Sequence, residues 1–311
     1  MKRLLIYSSI SIFLFLLVPL SIYSIPKPQE TPTPPWIPPQ KITVHLAESK
    51  QTVELNLEDC VEAWLSASVL ETTPLEALKA QAVAARSYLL YQIYANQQSA
   101  SIHPDTMLCN DGGHCMSFYP EYYSLPLLHQ AVTETAGEYL SYHDLPARCF
   151  FFSVSAGRTE SALDVWGMDL PYLISVESPE DSRSAAFQSK VTYPLEAFQL
   201  VLRGANHNLN PSTSLGTGEV SRSETGHVKF IDFYGERFTG EELKELFHLN
   251  STNFNLFFNE KKVVFEVKGK GHGVGMSLYG AQEMAKKGQS YQAILSHYYP
   301  GTRLTTIHPT N

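Results

Sequence analysis

Three groups of residues in this chain are of types that do chemistry. The first is an acid, Glu71, at the head of the stretch ETTPLEALKAQAVAARSY (Glu71–Tyr88). Thr73, Pro74 and Glu76 read as a helix start: a threonine cap, a proline at the first position and a glutamate that reaches back to the cap. Glu76 therefore has a structural task and Glu71 has none, which suits Glu71 to proton transfer. The second group is His103, Cys109 and Cys115, with His114 as a substitute donor. Imidazole and thiolate are the donors zinc prefers. The spacing is not that of a zinc finger, and a Cys109–Cys115 disulfide is the alternative outside the cytoplasm. The third group lies in two segments rich in small residues. SVSAGRTES (Ser153–Ser161) offers Ser153, Ser155, Arg158 and Thr159 at a strand end, but no Gly-x-Ser-x-Gly elbow, so it reads as a polar turn or a contact surface and not as a serine hydrolase. GKGHGVGMSLYGAQ (Gly269–Gln282) carries His272, Ser277 and Tyr279 among glycines at alternate positions, which let backbone or ligand approach closely. It lacks the dinucleotide-binding spacing, and it is equally readable as substrate contact or as structure.

These groups need elements to position them. KITVHLA and QTVELNL alternate apolar and polar residues and read as paired strands. A helix is expected over Leu57–Leu70, which sets Glu71 between its C-terminus and the N-terminus of the next helix, whose dipoles act in opposite senses. That next helix has an alanine-rich interior that lets neighbours pack close, with Lys79 and Arg86 as its remaining charges. Further helices are expected near Leu127–Thr135, Pro194–Arg203, within TGEELKELF, over Gln282–Lys287 and over Tyr291–His297. Strands are expected in EYLSYHD, ARCFFFSVSAG, HVKFIDFYG and KVVFEVKGKG. The fold class is α+β: mixed, largely antiparallel sheets with packed helices forming a cleft.

Composition sets the outer limits. A formal charge of −8 argues against a nucleic-acid partner. An aromatic share of 12% suits either a carbohydrate-facing cleft or a ring-filled core. Lys2 and Arg3 precede an uncharged, mostly apolar run, Leu4–Ile25, about as long as a bilayer is thick. We read residues 1–25 as a membrane anchor with its N-terminus inside, a cleaved signal peptide being the alternative; both readings export the rest. Residues 26–40, PKPQETPTPPWIPPQ, form a proline-rich semi-rigid linker. Residues 41–311 are the functional domain.

Read together, LEDCVEAWL, PLEALKAQAVAARSY, SAGRTESALDVWG, SRSETGHV, STNF, GHGVGMSLYGAQEMA and ILSHYYPGT occur in an order that resembles the stage II sporulation protein D family of bacterial peptidoglycan lytic transglycosylases, over roughly Ile42 to Leu304. The resemblance implies cleavage of denuded glycan strands between N-acetylmuramic acid and N-acetylglucosamine, leaving a 1,6-anhydro end, in cell-wall remodelling. It implies Glu71 as the catalytic acid. Substrate contacts fall to Lys79, Arg86, Ser153, Ser155, Arg158, Thr159, His272, Ser277 and Tyr279. A structural zinc is implied on His103, Cys109 and Cys115, as is partnership with an N-acetylmuramoyl-L-alanine amidase. One acid suffices for this reaction, whereas a hydrolytic glycosidase positions two. The chain departs from the family's pattern twice. Glu71 is followed only by Thr72, Thr73 and Pro74 where the family has a longer connection, and Phe151 and Phe152 stand where it often has tyrosine and histidine. The departures make a glycan-binding module that stimulates an amidase the alternative to an enzyme.

Overall fold

The computed structural model describes residues 36–39, 41–98, 105–112, 115–116, 125–205 and 217–307. Met1–Ile37 and Pro38–Asn311 are separate units, and the architecture below belongs to the second. The expected anchor over Leu4–Ile25 lies outside the described residues, as does most of the proline-rich linker. Among the described residues no helix is long and apolar enough to cross a membrane.

The unit opens with an antiparallel hairpin of β1 (Lys41–Leu46) and β2 (Gln51–Asn56). Alternation buries Ile42, Val44 and Leu46 of β1 on one face. Helix α1 (Leu57–Ser66) follows at once, then α2 (Leu75–Gln98). The short strand β3 (Leu108–Cys109) pairs in parallel with β1. Next come α3 (Pro126–Glu134), β4 (Glu138–Tyr142), β5 (Leu145–Pro146), β6 (Phe151–Phe152) and the five-residue helix α4 (Ala162–Trp166). A 3₁₀ turn, Pro179–Arg183, leads to β7 (Gln188–Pro194) and α5 (Leu195–Gly204). After it lie β8 (Thr217–Arg222), β9 (Val228–Phe233), β10 (Glu236–Thr239), α6 (Gly240–Leu246), β11 (Phe254–Phe258) and β12 (Lys262–Lys268). The unit closes with β13 (Met276–Ser277), α7 (Leu278–Lys286), α8 (Tyr291–Tyr298) and β14 (Arg303–Thr306). Strand pairing is antiparallel except for β1–β3 and β6–β13, so the α+β, largely antiparallel reading holds.

Helix α2 is the central strut. Ala77, Ala80, Ala82, Ala84 and Ala85 are buried, and α1, α3, α7, α8 and β4 all pack on this helix. With no long side chains in the way, several backbones come close to one axis. The core around it joins Val83, Ala84, Leu140, Ala162, Val274, Met276, Leu295 and Tyr299. A second core gathers Phe198 and Leu202 of α5, residues of β9 to β12, and Leu243 of α6.

Two sequence expectations change. Helix α1 stops at Ser66 and not at Leu70. The hydroxyls of Ser66 and Ser68 donate to the carbonyls of Ala63 and Leu65, local bonds that compete with a regular further turn. Glu71 thus sits in an open turn, removed from the helix end. The expected strand ARCFFFSVSAG shrinks to Phe151–Phe152 plus a single bridge from Val154 to Lys270. Its neighbour holds Gly269, Gly271, Gly273 and Gly275 at positive φ, between 78° and 108°, and such backbone cannot run a regular ladder.

Candidate functional site

Rings from four parts of the chain meet around one cavity of about 220 Å³. Trp64 comes from α1, Tyr88 from α2, Phe150 and Phe151 from the β6 region, and His272 from the glycine-rich segment; Gly112, Cys115, Met116 and Cys149 complete the lining. Trp64 lies 5.4 Å from Tyr88 and 5.3 Å from Phe151, centroid to centroid, and Tyr88 lies 5.5 Å from Phe150. His272 closes the circle at 6.1 Å from Phe150 and 5.6 Å from Phe152. The five rings that line the cavity are half-buried, so they keep faces open to a ligand, whereas Phe152 is buried behind them.

The glycines explain how His272 reaches this place. A Cβ at Gly275 would overlap the Phe150 carbonyl oxygen, and one at Gly273 would stand 2.9 Å from Glu160 Cγ. Both must be glycine for the segment to lie against the β6 region, so here the small residues serve a close backbone approach. His272 Nδ1 accepts the Val274 N–H at 3.1 Å, and the ring makes a further hydrogen bond to the Phe151 backbone. Burial pushes its pKa down to about 4, so the imidazole is neutral at physiological pH. With its nitrogens in use, His272 offers a ligand its ring face and not a proton.

Other predicted contacts are used internally. Ser155 N–H and Ser277 Oγ–H both donate to Asp181, each at 2.9 Å. Ser155 Oγ accepts the Gly157 N–H, and Ser277 Oγ caps α7 by accepting the Gly280 N–H. Asp181 is fully buried on the 3₁₀ turn and ties the SAG turn to the start of α7; burial raises its pKa while these donors pull it down. Thr159 is buried and bonds the backbone of Ile174 and Val176. Ser153 accepts the Tyr279 N–H through its backbone carbonyl, which registers the two segments. Arg158 is exposed and paired with Glu177 at 2.5 Å.

The charges on α2 are also engaged. Lys79 bridges Glu76 at 2.9 Å and Glu134 at 2.7 Å. Arg86 requires a correction: it is not a cleft-lining group but one of the most deeply buried side chains, at 0% exposure. Its guanidinium grips the Glu58 carboxylate and donates to the Glu138 carbonyl at 2.7 Å, bracing α1 and β4 against α2. A buried guanidinium persists only when its donors are matched in this way.

Glu71 is exposed in the turn between α1 and α2. It is not among the residues that line the aromatic cavity, and its side chain makes no hydrogen bond or ion pair with a described residue. Cys109 and Cys115 are buried and hydrogen-bonded to each other, so two soft donors stand together as a metal or a disulfide would need. His103 and His114 lie outside the described residues.

Sequence reasoning missed the rings themselves. Trp64, Tyr88 and Phe150 stand inside or beside motif strings quoted for other residues; their recurrence there was the available signal. It also missed a polar pair beneath the site, Glu160 and His227, 3.6 Å apart and at 1% and 7% side-chain exposure. Glu160 Oε1 and His227 Nε2 have no hydrogen-bond partner among the described residues. Burial drives the Glu160 carboxyl up to about 7 and the His227 imidazole down to about 4.

The stage II sporulation protein family profile matches residues 47–142. Stage II sporulation protein D of Bacillus subtilis (strain 168) is 31% identical over 283 residues, covering 86% of this chain and 79% of the relative. The protein of that name from Bacillus amyloliquefaciens is 31% identical over 277 residues, again 86% and 79%. A Bacillus subtilis (strain 168) protein named amidase enhancer is 27% identical over 286 residues, covering 75% of this chain and 38% of the relative.

Proposed function

From the premise that this chain belongs to the stage II sporulation protein D family, we propose that it is a lytic transglycosylase that cleaves peptide-free peptidoglycan strands during cell-wall remodelling. The observation that carries this reading is the ring-lined cavity of Trp64, Tyr88, Phe150, Phe151 and His272. The face of a pyranose is a patch of C–H groups, and the negative face of an aromatic ring complements it. Helices α1 and α2 each contribute one ring to the cavity, and Glu71 sits on the turn that joins these helices.

Glu71 in this reading donates a proton to the oxygen that links muramic acid to the departing glucosamine. The resulting carboxylate then takes the proton of the muramic acid 6-hydroxyl as that oxygen attacks the anomeric carbon. The products are a 1,6-anhydro end and a free glucosamine hydroxyl; no water is consumed, and Glu71 returns to its starting form. The neutral, fully bonded His272 orients the sugar and takes no part in the proton transfer. A structural zinc fits the paired thiols of Cys109 and Cys115, with His103 as a third ligand; it would order the loop that carries Gly112 and Cys115 to the cavity wall. The reading includes an N-terminal anchor over Leu4–Ile25 that holds the domain on the outer side of the bacterial membrane, and an amidase that strips the strands beforehand.

A second reading is favoured by the exposure of Glu71. A carboxylate that no described residue holds is poorly fixed over a glycosidic oxygen, and misplacement is costly to catalysis. The chain would then bind strands and stimulate an amidase, in keeping with the name of one relative. Incubating the full-length protein with denuded strands and analysing the products by mass spectrometry separates the two. Anhydro ends that disappear in Glu71→Gln support the enzyme. Strand binding without anhydro ends, unchanged in Glu71→Gln and accompanied by faster amidase turnover, supports the module. Metal analysis and thiol titration of the same preparation decide between zinc and a Cys109–Cys115 disulfide.

A further inference from the structure

The ring surface does not stop at the cavity wall. Trp166 is not among the cavity-lining residues, yet its ring lies 4.6 Å from Phe150 and 5.1 Å from His272, both of which do line it. Trp166 is 37% exposed, and Leu163, one turn earlier on the same helix, is 59% exposed. An indole left open to water beside a half-buried ring cluster is an unusual use of the largest side chain.

Its mounting is rigid. Helix α4 is capped by Ser161, whose Oγ accepts the Asp164 N–H at 3.1 Å, and closed by Gly167 in the left-handed conformation, φ 68°. Asp164 is held by Lys229 at 2.6 Å, which pins the helix to the neighbouring strand β9 and keeps the Asp164 carboxyl below its ordinary range. The helix's buried end, Ala162, donates its N–H to the Leu173 carbonyl. Trp166 thus presents a face whose ordering has already been secured by the fold, so little conformational entropy is lost when a ligand covers it.

We propose that Trp166, with the adjoining face of His272, forms a second sugar-stacking subsite, outside the cavity, for the next amino-sugar unit of a glycan strand. The proposal rests on the reading of the cavity as a glycan site. A strand is a polymer, so whatever enters the cavity must continue across the surface beside it. The Phe150–Trp166–His272 contacts supply a continuous aromatic path in one direction. The subsite recognises the apolar face of a pyranose. It therefore favours peptide-free strands, because a stem peptide would add bulk and further charged groups against Leu163 and Trp166.

The test measures binding of the full-length protein to two probes, an isolated glucosamine–muramic acid disaccharide and long denuded strands, for wild type, Trp166→Ala and Trp166→Phe. Retained near-ultraviolet circular dichroism checks that each variant is folded, and Trp166→Phe, which keeps a ring, covers the case in which alanine unfolds α4. The expected result is a loss of about tenfold in strand affinity for Trp166→Ala, or about 1.4 kcal/mol, partial recovery in Trp166→Phe and unchanged disaccharide binding in both. Strand affinity equal to wild type in Trp166→Ala overturns the subsite while leaving the cavity reading intact. A loss confined to amidase stimulation, with strand binding unchanged, also overturns it and assigns Trp166 to a protein partner. Wild type that binds neither probe overturns the cavity reading and the subsite together.

Discussion

The molecule uses aromatic rings in two ways, and the two sites differ in what surrounds the rings and not in the rings themselves. In the second core, Phe198, Phe233, Phe238, Phe247, Phe254 and Phe265 are each at most 1% exposed. Phe198 and Phe247 stack at 4.9 Å, and Phe233, Phe258 and Phe265 surround them at up to 6.2 Å. Sheets β8–β9–β10 and β7–β12–β11, with helices α5 and α6, supply apolar side chains from every side, so the rings close on one another. Around Trp64, Tyr88, Phe150 and Phe151 the described partners are small groups, Gly112, Cys115 and Cys149, with only Met116 and the His272 ring as larger side chains, and they leave part of the space unfilled. Rings that are not filled against become a cavity. Closed interior and open cavity therefore follow from the volume of the neighbours, since ring–ring attraction is similar in both.

The sharpest way to break the comparison is to empty one position on each side. Phe198→Ala removes a fully enclosed ring and should lower stability by about 3–5 kcal/mol, read by urea unfolding. Glycan binding below the new midpoint should be unchanged. Trp64→Ala should show the reverse balance: a stability loss less than half as large, with strand affinity down by about tenfold in a pull-down or calorimetric titration. Equal stability losses with unaltered binding would mean that the cavity is only a packing defect.

Smaller effects come from the buried polar pair under the site. Glu160 has a folded pKa of about 7, above its ordinary carboxylate value, so the folded state favours the proton. Its contribution is present in full at acid pH and is lost as pH rises from the ordinary carboxylate range through about 7. Denaturation at several pH values should show wild type weakening toward alkaline pH relative to Glu160→Gln. A constant difference between the two proteins would remove Glu160 as the titrating group. His227, held down at about 4, acts in the opposite sense and weakens the fold on acidification; comparison of variants keeps the two apart. The smallest expected effect is none at all: because His272 is neutral and offers only its ring face, strand affinity should be flat from roughly pH 5 to 8. A step in that range that persists in Glu160→Gln would show that the His272 proton takes part.

Much of the candidate site could be read from residue order, but not the part that forms a surface. The start of α2 directly after Pro74, its alanine interior and the β1–β2 hairpin follow from local rules of helix starts, side-chain size and alternation, which act over a few residues. Glu76, by contrast, spends its carboxylate on Lys79 and the distant Tyr291 N–H. Local rules also mark the SAG turn and the glycine-rich segment as unusual. They do not say that Ser155 and Ser277 meet on Asp181, because that contact joins residues far apart in sequence. They misplace Arg86, since the same charge serves a cleft or a buried brace according to whether Glu58 and the Glu138 carbonyl arrive beside it. They set Glu71 at a helix end, but α1 ends sooner, at Ser66. Sequence alone determined the family, the α+β class and the small residues that permit close packing, because each is written in local pattern and motif order. Only the tertiary structure decided which rings are enclosed and which are left open, and that Trp166 continues the open set. Exposure is the outcome of distant segments either filling or failing to fill the space around a side chain.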